Sequence, residues 1–325
     1  MSSSCTLRGT IAGLALCIAS STVLGQAWPT RPIRTISIFS AGNATDITAR
    51  VVLDVVARQI GQSFVIDNRP GAGGALGAAI AARAEPDGYT LLLNSSSLSS
   101  QVVLHKKLPF DPAKDFAPVV MLGISPSVLV AAPSRGWKSV ADLVAAAKAK
   151  PGDVTFASAG LGAASHMAAE RLRLATKIDV RHVPFRGPGE AFNEVISGRL
   201  DFYFLPIAAA LPNIKSNRVV ALAVSTPERA ALLPDVPTVV EAGYPAAQYL
   251  FWGGLAFPRA TPRAIIDRLH RETTKALSQP DVREKLAALG VHSPPMSVDE
   301  FTRFCRDDVT ATIKLARDIN LTPSD

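Results

Sequence analysis

The sequence predicts an α/β fold made of two related halves, on three observations. Short β-rich runs alternate with helical patterns from Arg31 to Thr226. A strand, a Ser-Ala-Gly turn and a helix start occur twice, as "IFSAGNATDITAR" and as "FASAGLGAASHMAAE". The 325 residues are 48% hydrophobic and only 19% charged, enough to bury the core of one large or two medium domains. Repeated strand-helix-strand units imply parallel strands joined by right-handed crossovers.

Taken in order, "IRTISIF" reads as a strand of β-branched residues, and "TDITARVVLDVVARQIG" as a helix with apolar Ile47, Val51, Val55 and Ile60 and a stop at Gly61. "FVIDN" is the next strand, "ALGAAIAARA" a helix and "YTLLLN" a strand. Around "VVMLGISPSVLVAAP" two strands follow closely, a crossing between domains. The second series runs through the helix "SVADLVAAAKAK" capped by Ser139, the strand "DVTFASA", the helix "SHMAAERLRLAT", then "DVRHVPF", "GEAFNEVISG", "LDFYFL" and "VVALAVS". After "LPDVPTVVEAGYP" come "YLFWGGLAFP" and three helices. Thr261-Pro262 starts one, and the capping box Ser297 to Glu300 starts another. In an open parallel sheet a ligand lies beyond the carboxyl ends of the strands, so two such edges facing each other make a cleft.

Residues 1–27 combine Arg8, an apolar run from about Ile11 to Val23 and small residues up to Ala27. This is the layout of a secretory signal peptide, cleaved after Ala27 or after Gly25. The apolar run is short for a membrane span. Leu16 stands where a lipoprotein signal at Cys17 needs a small residue. Cys5 and Cys17 leave with this segment, so Cys305 remains without a disulfide partner. It falls beside Phe301, Phe304 and Val309 on an apolar helix face, a packing position. The formal charge of +7 becomes +6 without Arg8, and the basic residues are spread rather than clustered among aromatics, against nucleic-acid binding.

Several chemistries lack their residues. In "RPGAGGALGAA", Leu76 replaces the third glycine of a dinucleotide fingerprint, and no Lys-Ser/Thr completes a phosphate loop, so these glycines read as a sharp turn. There is no G-x-S-x-G elbow for a serine hydrolase, though Ser158 and Ser165 leave that alternative open. His105, His166, His182, His270 and His292 are scattered, without metal-ligand spacing. What remains is anion capture. A helix N-terminus offers unpaired N–H groups and partial positive charge, "GNATD" adds the Asn43 amide and Thr45 hydroxyl, and "GLGAAS" adds small residues and Ser165. The alternative role for Thr45, Asp46 and Ser165 is to cap their own helices.

The segments "WPTRPIRTISIFSAGNATD", "DNRPGAGGALGA", "PDGYTLLL", "FASAGLGAASH", "VPFRGPGEAFNEVISGRLDFYF", "RVVALAVSTPERAALLPDVPTVVEAGYP", "WGGLAFPRATP" and "DVREKLAALG" resemble the solute-binding proteins of tripartite tricarboxylate transporters, the Bug-type or TctC family of bacterial periplasmic receptors. The resemblance covers nearly the whole mature chain. It implies a two-lobed periplasmic binding protein type II (Venus-flytrap) fold, with residues 28–130 and 248–325 as one lobe, 131–247 as the other, and a ligand cleft between them. By position it assigns ligand contacts to Phe39, Ser40, Ala41, Gly42, Asn43, Thr45 and Asp46 on one side, and to Ser158, Ala159, Gly160, Ser165 and His166 on the other. Ser95 and Ser96, and Arg186 with Gly187, are second-rank positions.

The resemblance further implies a periplasmic, monomeric receptor with no cofactor or metal and no catalysis. It would bind a small organic acid and serve the large and small membrane subunits of a transporter. A membrane sensor kinase is the alternative partner, and a secreted serine hydrolase the alternative activity. Two departures stand out. The first loop is "IFSAGNATD" rather than the family's "PFPPGGGTD" type, and Leu205 stands where an aspartate often closes the "GxLDxxF" strand. A leucine cannot pair with a ligand ammonium, so the expected ligand carries carboxylates and no amine, such as an aliphatic dicarboxylate or an aromatic acid like terephthalate.

Overall fold

The computed structural model describes residues 28–321, so the signal-peptide assignment to residues 1–27 lies outside the described residues. The chain runs β1 (Ile33–Ser37), α1 (Ala44–Ile60), β2 (Phe64–Asn68), α2 (Ala75–Ala82), β3 (Thr90–Ser95), α3 (Ser96–Leu104), β4 (Phe116–Ser125) and β5 (Ser127–Ala131). It continues with α4 (Val140–Ala149), β6 (Thr155–Ser158), α5 (Ala164–Thr176), β7 (Arg181–Pro184), α6 (Pro188–Ile196), β8 (Phe202–Pro206), α7 (Ile207–Lys215) and β9 (Val220–Val224). The last elements are β10 (Phe251–Pro258), α8 (Arg263–Leu277), α9 (Pro280–Ala288) and α10 (Val298–Asp318).

Two five-stranded sheets result, ordered β2-β1-β3-β10-β4 and β7-β6-β8-β5-β9. The orders correspond position by position, so the repeat seen in the sequence is a repeat of topology. β1 and β6, which carry the Ser-Ala-Gly turns, occupy the same second place. The all-parallel expectation is corrected in one strand of each sheet: β10 runs antiparallel to β3 and β4, and β5 antiparallel to β8 and β9. Both are the first strands after the chain crosses between lobes. They enter from the edge where the parallel strands end, so they run the opposite way.

The lobe boundary shifts accordingly. Residues 127–131 pair with β8 and β9, so the crossing lies at Pro126 and not after residue 130. The second crossing is tied down where Ser225 Oγ donates to Tyr249 O (2.8 Å) and Tyr249 N–H donates to Ser225 O (3.1 Å). The assignment of 248–325 wholly to the first lobe is also too simple. In α10, Phe301 and Cys305 pack with Met121 and Trp252 of the first lobe, whereas Leu315 enters the core of the second with Phe156 and Leu172. A helix of 21 residues is about 30 Å long and outruns one lobe.

Local signals explain most helix ends. Ser139 with Asp142 and Ser297 with Glu300 form complete capping boxes on α4 and α10. Thr261 does not cap α8, which Pro262 precedes. The buried face of α1 is Ala49, Val52, Leu53, Val55 and Val56, while Ile47 is exposed, so the apolar stripe expected through Ile47 is rotated. The "GAGG" turn precedes α2 as expected. A Cβ at Gly74 would meet the Ile38 side chain at 2.9 Å, so this glycine allows α2 to pack on β1. α3 and α7 carry no clear pattern in the sequence: one is serine-rich, the other holds Pro212 inside.

Cys305 is buried, and that burial, with Asp308 nearby, pushes its thiol far above the usual range. A thiol reagent such as Ellman's should therefore react with the mature protein only as fast as it unfolds, because the thiolate is the reactive species. Prompt labelling under native conditions would contradict the packing role.

Candidate ligand cleft

In the first lobe the β1-α1 loop is held from beneath by Asp46. Its carboxylate accepts from Gly42 N–H (3.0 Å), Arg50 Nε (2.9 Å) and Asn68 Nδ2 (2.9 Å), and Asn68 Nδ2 also donates to Phe39 O (2.9 Å). Burial opposes ionisation of Asp46, but the hydrogen bonds from Arg50, Asn68 and Gly42 outweigh it and hold the carboxyl below its ordinary value. Asn43, and not Asp46, is the N-cap: its Oδ1 accepts from Thr45 N–H (2.9 Å). Phe39 packs into the lobe core, and Ser40, Ala41 and Gly42 are exposed at the turn. Thr45 is buried against Gly253 of β10, where a Cβ would meet Thr45 Cγ2 at 2.6 Å. The Thr45 hydroxyl makes no hydrogen bond to another described residue. Ser95 spends its hydroxyl capping α3 through Ser97 N–H (3.1 Å), and Ser96 is buried beside Tyr249.

In the second lobe the β6-α5 loop is organised differently. Ser158 is fully buried; its Oγ lies 2.6 Å from His182 Nε2, donates to Gly160 O (3.0 Å) and accepts from Gly160 N–H (3.1 Å). Ser165 Oγ accepts from Ala159 N–H (3.0 Å) and lies beside the Tyr203 hydroxyl, whose pKa burial pushes up to about 12. His166 Nδ1 accepts from Gly162 N–H (3.0 Å), and its other nitrogen lies 3.7 Å from the buried Glu170. Burial opposes ionisation of Glu170, but His166 and Arg173 outweigh it, so Glu170 is also held below its usual value. α5 and α6 start at Ala163 and Gly187 without any side-chain cap, which leaves their first N–H groups to an external acceptor. Arg186 is exposed just before α6 and makes no ion pair with another described residue. Leu205 is buried against the core that contains Val128, Tyr203 and Val224.

These positions sort the sequence-derived set by what each group has left to give. Phe39, Asn43, Asp46, Ser95, Ser158 and His166 use their polar atoms or bulk to shape the loops. Ser40, Ala41 and Arg186 are exposed and Gly187 is half-buried, all four without a hydrogen-bond partner for their donors among the described residues, and Thr45 keeps its hydroxyl, whereas the N–H groups of Gly42, Ala159 and Gly160 are already given to Asp46, Ser165 and Ser158. Ser158 and His182 have the spacing of a nucleophile and base, yet Ser158 is buried and its hydroxyl is committed to Gly160. Among the described residues no three His, Cys, Asp or Glu side chains gather at metal-binding distance. Sequence reading missed His182. Only the parallel pairing of β6 with β7, which sets His182 opposite Phe156, brings it against His166.

The lobes meet near this loop. Gly162 has a left-handed backbone (φ 70°), and a Cβ there would run into the Leu104 side chain of α3 in the other lobe. Two lobes of matched topology, two crossings, and a strand-turn-helix loop at the carboxyl end of the same strand in each define a solute-binding protein of the periplasmic two-lobed class. The chain belongs to the TctC family, described as the tripartite tricarboxylate transporter family receptor, which matches residues 48–321. It is 35% identical over 289 residues to the protein BugT of Bordetella pertussis, covering 88% of this chain and 89% of BugT. Among solved structures it is similar to MatC from Rhodopseudomonas palustris with bound malate (32% identity, TM-score 0.78, 89% of this chain and 99% of MatC). It is likewise similar to R. palustris Rpa4515 with adipate (28% identity, TM-score 0.82, 91% and 100%).

Proposed function

We propose that this protein captures a small organic acid, carrying carboxylates and no amine, between its two lobes in the periplasm, and presents it to the membrane subunits of a tripartite transporter. The observation that carries this reading is the pair of equivalent loops, Ser40 to Thr45 and Ala159 to Ser165, each at the start of a helix in the same place of its sheet. Helix N-termini hold anions, and the uncapped start of α5 supplies free donors for a carboxylate. The malate and adipate bound by MatC and Rpa4515 are of this chemical class. Leu205, buried among apolar side chains, offers nothing to an ammonium group.

A micromolar affinity corresponds to about −8 kcal/mol, within reach of one or two charge-assisted carboxylate contacts and a desolvated apolar stem. No covalent step is involved. The test is a thermal-shift screen of residues 28–325 against mono- and dicarboxylates, aromatic acids and amino acids. An acid at a hundred times its Kd should add about 2.7 kcal/mol of stability, a rise of several degrees. Amino acids should leave the melting temperature unchanged. A shift with amino acids alone would overturn the amine-free reading, and a shift with no acid at all would overturn the carboxylate reading.

A further inference from the structure

The β6-α5 loop rests on two imidazoles. His182 lies on β7, and its ring stacks on His166 with centroids 4.1 Å apart and on Phe156 at 4.8 Å. From this stack His182 Nε2 reaches Ser158 Oγ, which in turn holds both the N–H and the carbonyl of Gly160. His166 Nδ1 accepts the N–H of Gly162 two residues on, so that nitrogen carries no hydrogen and the proton sits on Nε2, toward Glu170. Both glycines have positive φ, 123° and 70°, which glycine adopts without strain but does not by itself fix, so the hydrogen bonds are what select it.

We propose that His182 is the positioning residue of the second lobe's ligand loop: with His166 stacked on it, the imidazole pair fixes Gly160 and Gly162 and so aims the N–H groups that meet the ligand. This inference rests on the carboxylate-binding reading above for its consequence, but the loop geometry stands apart from it. Two cationic rings at this spacing would repel, so the stack disfavours charging His182. Burial, with His166 beside it, holds His182 down to about 4, while Glu170, paired with Arg173, acts in the opposite sense. The first lobe uses an ionised carboxylate, Asp46, for the same task; the second uses stacked imidazoles.

The experiment is amide hydrogen exchange of Gly160 and Gly162, read by NMR on residues 28–325 without ligand, for wild type, His182→Phe, His182→Gln and Ser158→Ala. Phenylalanine keeps a ring in the stack and removes the nitrogen, and glutamine restores an N–H near the position of Nε2. Gly160 should exchange about tenfold faster in His182→Phe, the order expected for one lost hydrogen bond, and return toward wild type in His182→Gln. Should His182→Phe fail to fold, Ser158→Ala, which leaves the stack in place, should loosen Gly160 alone. Unchanged exchange at Gly160 in His182→Phe, or in Ser158→Ala where only that variant folds, would overturn the proposal, as would glutamine failing to restore it.

The consequence for binding is read with malate and adipate as probes by calorimetry, where His182→Phe should weaken whichever acid wild type binds by about tenfold. Exchange that changes with no loss of affinity would overturn the link to the ligand. If wild type binds neither acid, the carboxylate reading fails, and the exchange data still decide the role of His182.

Discussion

Gly162→Ala is expected to weaken ligand binding by about 30-fold while lowering the melting temperature only slightly. Two costs combine. An L residue in the left-handed region loses about 1 kcal/mol, paid in every folded state. The added methyl also meets Leu104 of the other lobe, and that cost falls only on the arrangement in which the β6-α5 loop approaches α3. Only the second cost bears on affinity: an overpacked contact of about 2 kcal/mol is a factor of about 30, while the first lowers stability alone. Because only the second cost involves the partner lobe, Leu104→Ala in the Gly162→Ala background should recover part of the affinity. A double-mutant cycle by calorimetry measures the coupling. Strict additivity of the two variants would show that Gly162 and Leu104 do not communicate across the cleft.

Asp46→Ala should be the most destabilising change at the site. The carboxylate is fully buried and serves Gly42, Arg50 and Asn68 at once; without it the Asn68 amide and Gly42 N–H lose an acceptor, and Arg50 loses its carboxylate and keeps only Asn68 Oδ1. Breaking a buried pair costs several kcal/mol, but Arg50 is half exposed and can turn to water, so about 2 to 3 kcal/mol is expected. The Phe39 to Gly42 loop would lose its anchor, and ligand affinity should fall with it.

The pH dependence follows from the direction of the shift. Asp46 has a folded pKa below its unfolded value, so its contribution is fully present above the unfolded pKa of about 3.9 and disappears as pH falls through the folded value. In denaturant melts across this range, Asp46→Asn should be less stable than wild type near neutrality, and the gap should close toward strong acid. A gap independent of pH would mean that the ionised carboxylate is not what holds the loop.

Much of the fold was legible because it depends on local rules. The strand-helix alternation, the repeated Ser-Ala-Gly turns, the capping signals at Ser139 and Ser297, and the packing of Cys305 are each written within a few residues of one another. The helices α3 and α7 were not, since serine-rich and proline-containing helices are stabilised by what they pack on and not by their own propensity.

By itself, then, the sequence determined the α/β class, the two related halves, the family to which the chain is similar and the two loops that begin helices in corresponding places. Each is carried by periodicity or by short contiguous motifs. Only the tertiary structure decided which groups in those loops are free. Asp46 and Ser158 are buried and fully engaged, Asn43 took the capping role, and the reversal of β5 and β10 moved the lobe boundary to Pro126. His182 became part of the site only when β7 paired beside β6 and set its ring on His166. Hydrogen-bond partners drawn from residues 22 to 29 positions away leave no local pattern; the pairing of strands chooses them.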